Sequence, residues 1–420
     1  TQWEFQSNLF LSAILSLPMA LAPQQHCQPS TTLRAYHLRT MRLLLCTLLH
    51  ATTATSSTAA APPAAPPAVN HSVHIIFTHH LDVGLDLLPL KTVADCAGYA
   101  TQIVQRYFNV HIPRALRLAK ESRARVVESP ETQLPRFVYQ LHSWIVLLYV
   151  DCTPWIAPVP RAPLCPKSSG TLVCPSSAAV AELERALRDG DVVHSSSPFD
   201  INAAAAGDPN FIAAMVRDIS GELDRRYTRG GSTGANGTAM KVWTNIDVKG
   251  FARSAIPALR SAGIEALYVG SNGHPKWGGG RGLEPVVANA NATIFRWIDP
   301  VSNTSIPVMY HLGYGGFDCT TSGCISTTPT PTTAVTLACY YRADNEGPPA
   351  TLLEADAIFA AVKLQFPPSA VVRASSIGAF AREALTPTVI AALPTTRLAW
   401  GDQWITGLGT DPLRVARVRS

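Results

Sequence analysis

The sequence lacks an apolar run long enough to cross a membrane. Its two early apolar segments, 9–22 and 43–49, fall short of the roughly 20 consecutive residues that a spanning helix needs. It also lacks a concentrated basic run, since 34 basic and 29 acidic residues give a net charge of only +5 over 420 residues. The glycine loop 278–282 has no phosphate-binding pattern. These absences argue against a membrane span, a nucleic-acid partner and nucleotide binding.

The chain has few cysteines, and their spacing argues against a zinc site built from cysteine thiolates. Six of the nine cysteines form two clusters, which are Cys152, Cys165 and Cys174, and Cys319, Cys324 and Cys339. Neither cluster contains a Cys-x-x-Cys pair, so thiolate zinc is disfavoured and disulfides between loops are expected. Seven cysteines remain without Cys27 and Cys46, and we therefore expect one free thiol.

Acidic residues are absent from positions 5–81. Within this region, Met41 precedes a basic residue, the apolar run 43–49 and then small residues, an order typical of a signal peptide. We predict that Met41 is the initiator and that the protein enters the secretory pathway or is extracellular. A plastid-type or disordered leader is the alternative. Asn-x-Ser/Thr sequons agree with secretion and occur at Asn70, Asn236, Asn291 and Asn303.

The composition changes after a linker rich in Ala, Thr, Ser and Pro at 51–69. We assign 1–69 to upstream sequence, a signal-like segment and this linker, and 70–420 to a single large domain with an inserted loop near 153–175. Strand-like and helix-like segments alternate in that domain, and the strands are rich in Val and Ile. This order predicts an α/β fold with a mainly parallel sheet or (β/α) barrel.

Three helices are predicted from apolar periodicity and capping residues. One spans 99–122 and should bend at Pro113, because proline lacks an N–H group. A second spans 177–189 and should end at Gly190. The third spans 210–227, where apolar residues recur at helical spacing.

The first candidate site residues follow the strand-like segment 73–77. His80 and Asp82 are two positions apart, so they project from one face of an extended chain. Active sites of α/β barrels collect at the carboxyl ends of the strands, where these side chains lie. His79 points to the opposite face and is expected to pack or to face solvent.

Another buried strand, 241–247, ends at the carboxylate of Asp247. Such a carboxylate must face solvent, a cation or a metal, although it could also cap the helix predicted at 252–262. His194 and His311 lie in strand-like runs and are interpreted as hydrogen-bonded core histidines, with His311 the reserve candidate for a metal ligand. Trp243 and Trp297 are expected in the core.

Residues 73–84 resemble the opening strand of glycoside hydrolase family 38, the α-mannosidases, which ends in His-x-Asp. Further blocks match in the same order, at 244–250, 295–297, 314–316, 344–349 and 401–407. The resemblance covers roughly 72–420 and is nearest to an uncharacterised branch of that superfamily. It implies a barrel of the glycoside hydrolase/deacetylase type.

The resemblance also implies roles for individual residues. Asp247 would be the nucleophile and Asp344 the acid/base of a retaining mechanism. Trp404 and Tyr314 would contact the sugar. A zinc ion would be held by His80, Asp82, Asp247 and Asp402. One imidazole and three carboxylates are a harder donor set than two of each, so another divalent cation remains an alternative to Zn²⁺.

The expected function is therefore a metal-dependent retaining glycoside hydrolase acting on α-mannosides or related glycans, with a carbohydrate as its partner. Two alternatives stay open. A catalytically degenerate glycan-binding barrel is one, because the alanines at 203–206 replace residues that are usually polar or acidic in the family. A metal-dependent carbohydrate deacetylase is the other, and it would need a separate base. The sequence does not indicate an oligomeric state.

Overall fold

The computed structural model of the chain describes 70–81, 99–128, 135–152, 172–198, 200, 208–227, 239–247, 250–271, 292–312, 316–317, 319, 324–327, 333–340, 342 and 345–398. The described residues belong to one compact unit. The division predicted at residue 69 stays a prediction, because 1–69 lie outside them.

Short extended segments recur along the whole described chain. In chain order the strands are β1 (Asn70–Phe77), β2 (Tyr139–Leu141), β3 (Val192–His194), β4 (Val242–Asp247), β5 (Ala266–Ser271), β6 (Ala292–Ile298), β7 (Ser305–Leu312), β8 (Ile325–Ser326), β9 (Thr333–Tyr340), β10 (Val371–Ala374) and β11 (Thr395–Thr396).

Helices separate most of these strands. They are α1 (Tyr99–Arg106), α2 (Ile112–Glu128), α3 (Ser143–Val150), α4 (Ser177–Asp189), α5 (Pro209–Met215), α6 (Gly221–Tyr227), α7 (Ala255–Ser261), α8 (Leu352–Lys363), α9 (Ile377–Ala384) and α10 (Pro387–Ala392). Two π-helical turns, Tyr107–His111 and Val216–Ser220, join α1 to α2 and α5 to α6.

The strands form two sheets that share a core. The first has the order β3-β2-β1-β9-β8, with β10 also paired to β1, and the second has the order β11-β6-β7-β5-β4. Among the described strands, β6–β7 and β8–β9 are the antiparallel pairs, and all other pairs are parallel. The predicted mainly parallel α/β class is therefore confirmed. In the described part of the chain, backbone pairing does not join the two sheets into one closed ring.

Alternation along the strands divides the apolar side chains between an inner and an outer core. In β1, Ile76 joins the inner cluster, whereas Ile75 and Phe77 pack outward against helices. The inner cluster also contains residues of both sheets and of α9, including Val242, Tyr268, Met309, Leu337 and Phe380. The two sheets therefore face one another across a filled interior.

Helix α9 lies at the amino ends of the strands. Arg382 donates hydrogen bonds to the Ala239 carbonyl, three residues before β4, and to Glu265, which directly precedes β5 (both 3.5 Å). Glu383 binds Nε2 of His74 on β1 at 3.0 Å and pairs with Arg373. These contacts attach α9 to both sheets.

The helix prediction for 177–189 is confirmed, including its ends. Ser176 accepts a hydrogen bond from the Ala179 amide, and Gly190 adopts a left-handed φ of 69°. The other two predicted helices are each interrupted by a π-helical turn. In the first, that turn directly precedes Ile112 and Pro113, because a proline offers no N–H group to the carbonyl four residues earlier.

Disulfides form within both cysteine clusters. Cys152 is bonded to Cys174 and Cys319 to Cys324, while Cys339 is a buried free thiol on β9. The expected loop disulfides are thus present in the described residues. In that same part of the chain, no helix is long and apolar enough to cross a membrane.

Candidate functional site

The structure describes two of the predicted site residues, His80 and Asp247, and both lie at the carboxyl ends of strands. The other five lie outside the described residues, and they are Asp82, Tyr314, Asp344, Asp402 and Trp404. Their proposed roles stay predictions.

His80 follows β1 and is almost fully buried. Its carbonyl oxygen accepts a hydrogen bond from the amide of Asn345 at 3.0 Å. Asn345 is the residue after the predicted acid/base, Asp344. The described segment that begins at Asn345 therefore contacts the chain just after β1.

This loop is fixed against the π-helical turn Tyr107–His111. Nε2 of His111 donates a hydrogen bond to the Asn345 carbonyl at 2.9 Å. Gly347 has a φ of 69°, and a Cβ atom there would lie only 2.3 Å from Nδ1 of His111. Burial lowers the pKa of His111 to about 4, so its imidazole is neutral near pH 7.

Asp247 ends β4 in a conformation that is unusual for a residue with a side chain. Its φ is 74°, in the left-handed region, and the residue is only 7% exposed. In the described chain the other non-glycine residues with positive φ are Asn303 and Asn345. Left-handed non-glycine residues are concentrated at functional sites, and two of these three adjoin predicted site residues or are themselves one.

A buried imidazole–carboxylate pair adjoins the end of β4. His142 follows β2, and its Nε2 atom donates a hydrogen bond to Oδ2 of Asp200 at 3.1 Å. The other carboxylate oxygen, Oδ1, accepts a hydrogen bond from the amide of Ile246 at 2.7 Å. The side chains of His142 and Asp200 are 4% and 5% exposed. The pair thus contacts the backbone one residue before Asp247.

His79 connects this pair to the helical layer. Its Nε2 atom accepts a hydrogen bond from the His142 amide at 3.1 Å, and its Nδ1 atom lies 2.7 Å from the hydroxyl of Tyr107. The pKa of His79 is lowered well below its usual value, first by burial and then by the neighbouring imidazoles of His142, His111 and His80. The sequence predicts that His79 either packs or faces solvent, and the residue is buried and packed.

Hydroxyl groups bind the same edge of β4. Oγ of Ser197 accepts a hydrogen bond from the Thr244 amide at 3.1 Å and lies 2.7 Å from Oγ1 of Thr244. Together with Asp200 on Ile246, Ser197 occupies alternate amides along β4. Side chains that follow β3 therefore replace a neighbouring strand at this edge.

The two strand histidines differ from one another. His194 donates a hydrogen bond from Nδ1 to the Ser195 carbonyl at 3.2 Å and lies 3.5 Å from Asp224, as expected for a core histidine. His311 is 0% exposed, and neither of its ring nitrogens has a hydrogen-bond partner among the described residues. Burial lowers its pKa to about 3. The expected core position therefore holds for both histidines, and the expected hydrogen bond is seen for His194, whereas His311 has none among the described residues.

The described residues also bear on the predicted core tryptophans and on the predicted metal site. Trp243 and Trp297 are fully buried in the core, as expected. Within the described ranges, no three His, Cys, Asp or Glu side chains gather into a group that could hold a metal ion. Two of the four predicted ligands lie outside those ranges, so zinc binding remains a prediction.

Sequence reasoning missed His142 and assigned no role to Asp200. A signal for His142 does exist, because it directly follows a buried strand, as His80 nearly does. That strand is only three residues long, too short to show period-two alternation. Asp200 lies in the segment 197–202, which resembles a Pro-Phe-Asn motif of family 38, and its partners could not be inferred from spacing.

No protein-family model and no curated protein matches the chain. Among solved structures it is similar to a 4-alpha-glucanotransferase from Thermococcus litoralis, with 12% sequence identity and a TM-score of 0.39. The match covers 78% of this chain and 42% of that one, so the chain spans less than half the length of its neighbour. A likeness of this degree identifies neither a family nor an activity.

Proposed function

We propose that this protein is a retaining glycoside hydrolase that acts on α-mannosides or related glycans at the carboxyl edge of its strands. The observation that carries the proposal is the geometry of Asp247, a buried carboxylate in a left-handed turn at the end of β4. The resemblance to family 38 supports the substrate class.

In this proposal Asp247 attacks the anomeric carbon, and the glycosidic bond breaks as the leaving oxygen takes a proton from Asp344. Water then displaces Asp247 from the sugar while Asp344 accepts the proton of that water. The two carboxyl groups must lie about 5–5.5 Å apart for this double displacement. The contact between Asn345 and His80 supports the approach of the Asp344 loop to the edge.

A divalent cation, with zinc preferred, is part of the proposal. His80 and Asp247 would hold it together with Asp82 and Asp402. The two described residues are chemically suited to this role, because they offer a buried imidazole and a buried carboxylate that each follow or end a strand. When bound, the cation would supply positive charge beside the sugar hydroxyls and favour the ionised form of Asp247.

Glycine at position 247 gives a sharp test, because it removes the carboxylate and suits the left-handed backbone. We expect Asp247→Gly to lose at least about 10³-fold in hydrolysis of an aryl α-mannoside, as a rough estimate for deleting a nucleophile. Azide should restore reaction by occupying the space of the missing carboxylate, giving a glycosyl azide of inverted anomeric configuration. Metal content is measured for each protein.

Asp218→Asn, an exposed carboxylate in the π-helical turn Val216–Ser220, is the matched control and should behave as the wild type. Unchanged turnover in Asp247→Gly would refute the assigned nucleophile. Release of acetate from acetylated oligosaccharides without glycosidic cleavage would instead favour the deacetylase. Glycan binding without turnover under any divalent cation would favour the degenerate barrel.

We further propose that the protein matures in the secretory pathway. The disulfides Cys152–Cys174 and Cys319–Cys324 support this, because such bonds persist in oxidising compartments. The sequon residue Asn303 is exposed in the turn between β6 and β7, where it could accept a glycan. Enzymatic deglycosylation of protein from a eukaryotic host should lower its apparent mass, and Asn303→Gln should remove part of that shift.

A further inference from the structure

We propose that His142 and Asp200 are positioning residues that hold the turn at Asp247 in its left-handed conformation. This inference rests on the proposed function, since it concerns the nucleophile assigned there. Neither residue is among the predicted catalytic, metal-binding or substrate-binding residues. Their role would be exerted through the backbone of Ile246.

Strand β4 lies at the end of the second sheet in the described chain, so one of its edges has no neighbouring strand there. Its other edge pairs with β5 over the whole strand, up to Asp247 and Ser271. On the free edge, the amides of Thr244 and Ile246 bind side-chain oxygens in place of strand carbonyls. The bond from Ile246 to Asp200 is 2.7 Å long and involves a carboxylate, which makes it a strong hydrogen bond.

The bond from Ile246 to Asp200 lies directly before the left-handed residue. Ile246 is the last residue before the backbone turns to the φ of 74° at Asp247. An L-residue leaves the left-handed region readily unless its surroundings fix it, because that region is disfavoured for residues with a Cβ atom. A carboxylate bound to the preceding amide anchors the strand up to the point where it turns.

Asp200 depends on His142 for its second hydrogen bond. A carboxylate this deeply buried requires partners for both oxygens. Oδ1 is occupied by the Ile246 amide, and Oδ2 receives the hydrogen bond from His142. His142 is itself held through its amide by His79, which contacts Tyr107. A chain of bonds therefore runs from the helical layer beside β1 to the nucleophile on β4.

The experiment compares variants that keep or remove the oxygen bound to Ile246. Asp200→Ala removes it, whereas Asp200→Asn retains Oδ1 as an acceptor. We expect Asp200→Ala to lower kcat for an aryl α-mannoside by about 10- to 100-fold, the usual range for residues that orient a reacting group, with little change in KM. Asp200→Asn should recover most of the loss. His142→Ala should resemble Asp200→Ala, and His142→Gln should restore part of the activity.

A second measurement does not depend on turnover. Amide hydrogen exchange at Ile246 should be slow in the wild type and in Asp200→Asn, and at least about tenfold faster in Asp200→Ala, because an amide exchanges when its hydrogen bond is lost. The matched control is Asp208→Ala, which removes the side-chain cap of α5. That control should lower the unfolding midpoint and leave both kcat and Ile246 exchange unchanged.

The outcomes separate this inference from the proposed function. If the wild type hydrolyses no glycoside, the proposed function fails, and Ile246 exchange still decides whether Asp200 anchors the turn. If the wild type is active and Asp200→Ala keeps its kcat, the positioning role is overturned. Unchanged Ile246 exchange in Asp200→Ala overturns it as well, whatever the activity. Should Asp200→Ala fail to fold, the comparison of His142→Ala with His142→Gln applies the same test.

Discussion

At the scale of single residues, Asp247 combines a carboxylate with a backbone that suits glycine better. The left-handed conformation costs about 1–2 kcal/mol for most L-residues, less for Asn, and little for Gly. We therefore predict that the free energy of unfolding falls in the order Asp247→Gly, Asp247→Asn, Asp247→Ala, with about 1 kcal/mol between the first and the last. Denaturant titration of the three variants measures it. A glycine variant less stable than the alanine variant would contradict the left-handed turn.

His311 raises a different question, because it is buried without a hydrogen-bond partner among the described residues. Burial of an unsatisfied polar group costs about 1–3 kcal/mol. We predict that His311→Leu raises the free energy of unfolding by about 1 kcal/mol at pH 7, since leucine has a similar size and no polar atom.

The matched control is His194→Leu. His194 is equally buried and does donate a hydrogen bond, to Ser195, so its replacement should destabilise the fold. Equal losses of stability at both positions would show that His311 has a favourable role in the folded chain. A loss of glycan affinity in His311→Leu would make it a binding residue.

At the scale of elements, the contact between the Asn345–Gly347 loop and the π-helical turn Tyr107–His111 holds the loop after Asp344. A Cβ atom at Gly347 would overlap the ring of His111, and the φ of 69° is unfavourable for alanine. We predict that Gly347→Ala lowers the free energy of unfolding by at least about 2 kcal/mol, because strain and steric overlap add. Thermal or denaturant unfolding measures the change.

Gly221→Ala in α6 is the control for this substitution. The nearest atom to a Cβ there is the Val216 carbonyl oxygen at 3.8 Å, which is ordinary contact. Alanine is favoured over glycine within helices, so the control should be neutral or stabilising by up to about 1 kcal/mol. Equal stability of Gly347→Ala and Gly221→Ala would show that Gly347 does not lie as close to His111 as described.

The elements also show which parts of the structure the sequence can predict. Strands β1 and β4 are predictable because several apolar residues precede a polar residue at the strand end. Helix α4 is predictable to its ends because a serine cap and a terminal glycine act locally. The π-helical turns are not, because they keep the apolar spacing of a helix and differ from it only in hydrogen bonding.

The candidate site also contains some residues that the sequence predicts and some contacts that it does not. His80 and Asp247 are found from local pattern, since each follows a strand. The pairing of His142 with Asp200 depends on how β2 and the segment after β3 approach β4, which sequence separation does not reveal. The contact of Asn345 with His80 likewise joins residues far apart in the chain, so only coordinates bring it out.

At the scale of the whole molecule, stability should depend on pH through its buried histidines. Burial lowers the pKa values of His74, His79, His111, His194 and His311. Each group binds a proton in the unfolded chain near its usual pKa of 6.5 but not in the folded chain. Each therefore adds stability that is complete above about pH 6.5 and decreases as the pH falls towards its folded value.

We predict a steep loss of unfolding free energy from pH 6.5 to about pH 4, with up to about 1.4 kcal/mol per pH unit from each histidine. Denaturant titrations at about pH 7.5, 6.5, 5.5 and 4.5 measure how the free energy of unfolding changes with pH. His311→Leu removes one of these histidines, so the free energy of unfolding should decrease less steeply with falling pH in that variant. A free energy of unfolding that stays constant or increases as the pH is lowered from about 7 to about 5 would contradict the prediction.

Glu383 extends this dependence to lower pH. The hydrogen bond from His74 lowers the pKa of its carboxyl group to about 2, so the interaction contributes above the usual pKa of 4.5 and is lost as the pH falls towards 2. Protonation of Glu383 at low pH therefore weakens the attachment of α9 to β1.

The placement of α9 affects where a small molecule could bind. Phe380 and Ala381 of this helix pack into the inner cluster between the two sheets, and Arg382 beside them binds residues that precede β4 and β5. In the described part of the chain, a compound that entered between the sheets beside α9 would have to displace these apolar side chains. An inhibitor of the proposed enzyme should therefore be designed for the opposite, carboxyl ends of the strands.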